Sequence, residues 1–213
     1  MKSKNYIAFY EVDLVCNVAT NIGCGSRSKP LLLKLQNDRN INEVKLNRKG
    51  NILAIKWNNK NITSRSVIIA SVFSKYDVVL KNCNENTYKK QINSFLNDNK
   101  NWLDAVRIDE LSREEASLVA KQLIVVYDID ASLTSRQKAK LEKDIIAIFY
   151  DFFLNFESMD QLSDTKIYRM LVSQVIELTK NYIDSNSIPD TFALLNAIGG
   201  HKESEDQAKC CNK

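Results

Sequence analysis

Over its first 83 residues the chain switches its hydrophobic period between two and about 3.6 in a fixed order, and that order limits the folds open to it. Tyr6 to Val15 is rich in aromatic and β-branched residues. Tyr10, Val12 and Leu14 share one face and Phe9, Glu11 and Asp13 the other, the pattern of a half-buried strand. Ser26 to Gln36 carries Leu31, Leu32 and Leu35 with Pro30 near its start, a short amphipathic helix. Glu43 to Asn47 and Asn51 to Trp57 are two short strands joined by a tight turn at Asn47-Arg48-Lys49-Gly50, a β-hairpin. Thr63 to Tyr76 reads as a helix burying Val67, Ile68, Val72 and Phe73, and Val78-Val79-Leu80 closes the series with a short apolar run. The order is βαββαβ, a ferredoxin-like sandwich of four antiparallel strands with both helices on one face. That arrangement leaves the opposite sheet face and the first strand–helix loop open for work.

The remainder reads as helical, so the fold class expected is α+β, a ferredoxin-like unit followed by a small helical bundle. Residues 84–110 are transitional, with Tyr88, Ile92 and Phe95 at short-helix spacing and Trp102 and Val106 as docking residues. Ser112-Arg113-Glu114-Glu115 and Thr134-Ser135-Arg136-Gln137 have the form of capping boxes, opening helices through about Val126 and Phe153. The second stripe is Leu141, Ile145, Ile148, Phe149 and Phe152, with Tyr150 and Phe153 on the outer face. A third helix from about Ser163 to Asp184 carries Ile167, Met170, Leu171, Val175 and Leu178, and a last one from Asp190 stops at Gly199-Gly200. Asp128-Ile129-Asp130 lacks the central Gly and terminal Glu of a calcium loop and reads as a helix–helix connection. The domains expected are therefore 1–83, a linker over 84–110, a helical domain over 111–198, and a polar tail over 199–213.

Composition excludes several classes. No apolar run approaches the roughly 20 residues of a membrane span, so no membrane insertion is expected. The single His, His201, excludes a multi-histidine metal site. Glu11 interrupts any apolar signal core, and the five cysteines are odd in number and unevenly spaced; a cytoplasmic protein with reduced thiols is expected. The net charge of +4 divides unevenly. Residues 1–104 hold 17 Lys+Arg against 8 Asp+Glu, and residues 105–213 hold 13 against 18. A basic first half could attract an anion, but the favoured reading is a solvated surface whose sign follows the Lys- and Asn-rich codon bias.

The stretch with most chemistry is Cys16 to Pro30, which holds Cys16, Cys24, Gly23 and Gly25 between the first strand and the first helix. Cys24 stands just before the helix, where unpaired N–H groups and the helix dipole favour a thiolate, and Arg27 and Lys29 add positive charge.

Taken together, the cysteine-bearing loop, the apolar helix behind it, the hairpin with Leu46-Asn47, Gly50 and Leu53-Ala54-Ile55, and the second helix resemble the heavy-metal-associated domain of copper chaperones, metal-transporting ATPases and mercury-binding proteins. The resemblance covers about residues 5–82. In that family two cysteines of a Met-x-Cys-x-x-Cys motif bind a soft ion in this loop. Cys24 matches the second cysteine by its spacing to Leu31-Leu32, whereas Asn21 falls on the first and Ala19 on the Met. The resemblance implies binding of Cu(I), Zn(II) or Hg(II), and a metal-donor or metal-acceptor protein as partner. Cys16 would be the second ligand if the loop folds back, with Cys210 and Cys211 of the tail as a third and fourth.

Three functions compete. The first is a cytoplasmic soft-metal chaperone, sensor or sequestering protein. The second is a structural or protein-interaction module without metal. The third is a thiol-dependent oxyanion-binding enzyme using Cys24, which lacks a Cys-x5-Arg spacing and a visible general base. Nucleic-acid recognition ranks below these, because Lys49 to Lys56 offers no aromatic for base stacking.

Overall fold

The computed structural model describes residues 6–16, 21–58, 62–76, 78–130, 132–155, 165–191 and 193–194. They form two compact units, the first ending at Ser112 and the second beginning at Arg113. The chain is mixed α+β, with a five-stranded antiparallel sheet and, among the described residues, six α-helices. None of the described helices is long and apolar enough to cross a membrane.

In the first unit the elements run β1 (Tyr6–Val12), α1 (Gly25–Gln36), β2 (Ile41–Asn47), β3 (Ile52–Trp57), α2 (Ile62–Lys75), β4 (Leu80–Asn82), α3 (Glu85–Asn97) and β5 (Trp102–Leu103). The sheet order is β4-β1-β3-β2-β5. Strand alternation sends side chains to two different cores. On one face Tyr10, Val12, Val44, Leu53, Ile55 and Trp57 pack with Leu31, Leu32 and Leu35 of α1 and Ile69, Val72 and Phe73 of α2. On the other, Phe9, Ile52 and Ala54 pack with Phe95 of α3 and Trp102 of β5.

The hairpin turn between β2 and β3 forms where the sequence places it. Asn47 Oδ1 accepts from the Asn51 and Ile52 N–H groups at 3.0 and 2.9 Å, and Gly50 takes φ +75°, which a side chain would resist.

The second sheet face is not open, contrary to the sequence reading. Asn84 caps α3 by accepting from the Thr87 N–H at 2.9 Å, and the helix lays Ile92 and Phe95 over the centre of the sheet. Phe9, Phe95 and Trp102 meet at centroid distances of 5.3 to 5.9 Å, pairs worth about 0.5–1.5 kcal/mol each beyond burial. Trp102 donates its indole N–H to Ser94 Oγ at 3.1 Å. Val106 does not dock; it is 76% exposed. Val67 is likewise exposed on α2, and Ile69 takes the buried place assigned to it, because the run Val67-Ile68-Ile69 fixes the helix phase only once the sheet is present.

The helix α4 (Asp109–Asp130) begins three residues before the Ser112 capping box. Asp104 accepts from the Val106 and Arg107 N–H groups in the turn before it, leaving Ser112 fully buried inside the helix. The helix also runs through Asp128, so Asp128-Ile129-Asp130 is not a connection; Asp128 pairs with Lys138 at 2.5 Å.

In the second unit α5 (Ser135–Leu154) starts at a true capping box. The Gln137 N–H donates to Thr134 Oγ1 at 3.3 Å, and the Thr134 N–H donates to Gln137 Oε1 at 2.9 Å. Its buried stripe is Leu141, Ile145, Phe149 and Phe153, so Phe153 faces inward and Phe152 is only half-buried. Helix α6 (Thr165–Thr179) packs on α5 and buries Leu171, Val172, Val175 and Thr179, while Met170 lies exposed. It stops at Thr179, five residues short of Asp184, and a 3-10 turn follows at Ser185–Ser187. Most of the last helix expected from Asp190 lies outside the described residues, although Leu194 is buried.

Candidate functional site

The loop between β1 and α1 is a second, smaller ladder. Val15 bridges Gly23 in antiparallel sense, with the Cys16 N–H donating to the Ile22 carbonyl at 2.9 Å and the Cys24 N–H to the Leu14 carbonyl at 2.7 Å. Cross-strand partners in such a ladder point to one side and next neighbours to the other. Leu14, Cys16, Ile22 and Cys24 therefore share the side opposite Val15 and Gly23. The loop does fold back, and the sequence positions eight residues apart become diagonal neighbours.

Diagonal neighbours across an antiparallel ladder lie about 7–8 Å apart, beyond the roughly 4.4–6.8 Å Cα span of a disulfide. Both cysteines are accordingly thiols. They are buried, Cys16 at 2% and Cys24 at 5% exposure. Cys24 is the residue before α1, with extended φ and ψ, and its Sγ lies 3.2 Å from Ser26 Oγ. The Ser28 hydroxyl and N–H both donate to the Cys24 carbonyl, at 2.5 and 3.1 Å, fixing the first turn.

Main-chain contacts with the β2–β3 turn hold the ladder. The Leu14 N–H donates to the Gly50 carbonyl at 3.0 Å and the Gly23 N–H to the Arg48 carbonyl at 2.8 Å. A Cβ at Gly50 would stand 2.3 Å from the Leu14 carbonyl oxygen and 2.5 Å from Gly23 Cα. A Cβ at Gly25 would stand 2.3 Å from Ser112 Oγ and 2.6 Å from its main-chain nitrogen. The glycines around Cys24 thus admit a neighbouring main chain, a long-range requirement no local motif announces.

Of the other residues singled out from sequence, Lys29 turns away to Asp109, with Nζ 2.9 Å from Oδ1. Asn21, at the family's first cysteine position, is exposed. Cys83 sits half-buried beside the second core, its thiol pushed up first by burial and then by the Glu11 carboxylate. Cys210, Cys211 and His201 lie outside the described residues. Among the described residues no group of three or more His, Cys, Asp or Glu is placed to hold a metal ion. Ser26 belongs to the helix-start stretch that the sequence singles out beside Cys24, and Gly50 is the residue missed as part of this site, its one signal being a Gly that ends the hairpin turn.

No protein-family model matches the chain, and neither a curated protein nor a solved structure matches it significantly.

Proposed function

We propose that the first unit is a ferredoxin-like module of heavy-metal-associated type that holds one thiophilic ion between Cys16 and Cys24. The support for the fold is the succession β1-α1-β2-β3-α2-β4 with strand order β4-β1-β3-β2, and α1 and α2 on one face. The observation that carries the metal reading is the Val15–Gly23 ladder, which brings two soft donors to one side of the loop at the start of α1. Ladder diagonals of about 7–8 Å exceed the usual Cα span of a disulfide. With metal–sulfur bonds of about 2.3 Å, an S–metal–S bridge spans about 4.6 Å, which suits Cβ atoms somewhat under 7–8 Å apart.

Two thiolates favour an ion content with low coordination, Cu(I) or Hg(II). Zn(II) in a closed site wants four ligands, which would require Cys210 and Cys211. Burial strengthens the case for a soft cation once both thiols have lost their protons, since the ion offsets the charge that the core would otherwise refuse. A chaperone or sequestering role in a reducing cytoplasm follows, with a thiol-bearing protein as donor or acceptor.

The depth of burial favours a second reading, in which the cysteines are packing residues of a structural clasp. Titration of the full chain with Cu(I) and Hg(II), followed by thiolate charge-transfer absorbance, separates the two. One equivalent bound, lost in Cys24→Ser and weakened in Cys16→Ser while both variants keep the native tryptophan emission, supports the metal reading. No binding, or binding that persists in the double variant and disappears with Cys210→Ser/Cys211→Ser, refutes the loop as the site.

A further inference from the structure

A cavity of about 720 Å³ opens on the sheet face away from α1 and α2, between α3, the β2–β3 turn and the end of β1. Its volume lies within the roughly 300–1,000 Å³ of small-molecule sites. The floor is apolar, made by Ile52 and Trp102 of the second core, both buried.

The wall from α3 is Thr87, Lys90, Gln91 and Ser94. Their spacing of i, i+3, i+4 and i+7 is the stripe by which a helix buries apolar side chains, yet here every member is polar. The apolar stripe Ile92–Phe95 runs beside it and packs on the sheet. The helix therefore turns one apolar face to the core and one hydrogen-bonding face to the cavity.

Opposite stand Arg48 and Lys49 of the turn, with the amides of Asn47, Asn51 and Asn101. Arg48 lies 3.7 Å from Glu110, whereas Lys49 and Lys90 make no ion pair among the described residues. With Arg48 beside Glu110, Lys49 and Lys90 are the cations that face Glu11, and that surplus of positive charge attracts an anion.

We infer that this cavity binds a mononucleotide, independently of the cysteine loop. Lys49 and Lys90 take the phosphate from opposite walls. Gln91 offers the paired donor and acceptor that a base edge requires, whereas the amides of Asn47 and Asn51 bond each other and that of Asn101 bonds Asp98; the apolar floor receives the ring. Glu11 accepts from a ribose hydroxyl or an exocyclic amine. The fully buried Trp102 sits beneath as part of the floor, not as a stacking platform, which favours a single nucleotide over a strand.

The test is calorimetric titration of the full chain with AMP, GMP, CMP and UMP, with adenosine and inorganic phosphate as partial ligands and a single-stranded oligonucleotide as rival. The expected result is saturable one-to-one binding of at least one nucleotide, weakened by salt. Lys49→Gln/Lys90→Gln lowers that affinity about tenfold or more, since charge-assisted contacts are the strong ones. Gln91→Phe blocks the cavity without altering charge and also lowers it. Tryptophan emission checks that both variants remain folded. Failure of all four nucleotides to bind overturns the inference, as does binding indifferent to both variants. Stronger binding of the oligonucleotide through the same lysines overturns it in favour of a strand.

Discussion

Replacing Gly25 by alanine tests whether the cysteine loop is fixed by main-chain contact. At the first residue of a helix, alanine ordinarily gains up to about 1 kcal/mol over glycine. Here the new Cβ meets Ser112 Oγ at 2.3 Å, the Ser112 nitrogen at 2.6 Å and the Ile108 carbonyl oxygen at 3.1 Å. Two of the three are main-chain atoms that no rotamer change can withdraw. Overpacking against such atoms belongs at the top of the usual range, about 3 kcal/mol, so the net loss is about 2 kcal/mol. For a chain of this length that is about 4–8 °C in Tm. Urea unfolding followed by tryptophan emission is the assay, because the chain's two tryptophans, Trp57 and Trp102, are both buried in the first unit. Adding Ser112→Ala removes the shortest contact and leaves the one to nitrogen, so it restores part of the loss. Gly25→Ala within about 0.5 kcal/mol of the parent, or complete restoration by Ser112→Ala, would show that the main chain is not the constraint.

Gly50→Ala combines a φ of +75° with a 2.3 Å approach to the Leu14 carbonyl oxygen, and the same urea assay should show a loss of about 3 kcal/mol or more. In the second unit, Thr134→Ala removes the acceptor of the Gln137 N–H and should cost about 1 kcal/mol, read from thermal unfolding by circular dichroism. The Tyr182 phenol donates to Asp144 Oδ2 at 2.5 Å, and that bond, followed by burial and the Asp144 charge, pushes its pKa up to about 12. A folded pKa above the ordinary 10 means that the bond's contribution is complete below pH 10 and is lost as pH rises through 12. In the alkaline absorbance titration Tyr182 should therefore contribute a component near pH 12, and Tyr182→Phe should delete it; a Tyr182→Phe curve of unchanged amplitude there would reassign it.

The parts legible in the sequence are those decided by near neighbours. Asn47 and Gly50 specify their turn from within four residues, and Thr134 and Gln137 close their box in one helical turn. Strand β1 alternates as read because each of its faces meets a core. What escaped was decided at a distance. Strand β5 is two residues long, too short to carry a period, and exists because Leu103 and Trp102 pair with Leu46 and Asn47. The Ser112 box is overruled by a helix start at Asp109 and by the close approach of Gly25. At the candidate site, Cys24 was placed correctly before α1, but its burial and its diagonal relation to Cys16 depend on a fold-back that Gly50 makes possible.

Arg48 occupies an unusual position in this scheme. Its carbonyl receives the Gly23 N–H, its own N–H reaches the Asn101 carbonyl at 2.8 Å, and its side chain borders the cavity. The main chain of this one residue is thus clamped on two sides, while its guanidinium, 3.7 Å from Glu110, takes no part in the clamp. Evolution or engineering can rewrite the charge at this corner without disturbing the sulfur atoms, whereas lengthening the corner by a single residue would unfasten them.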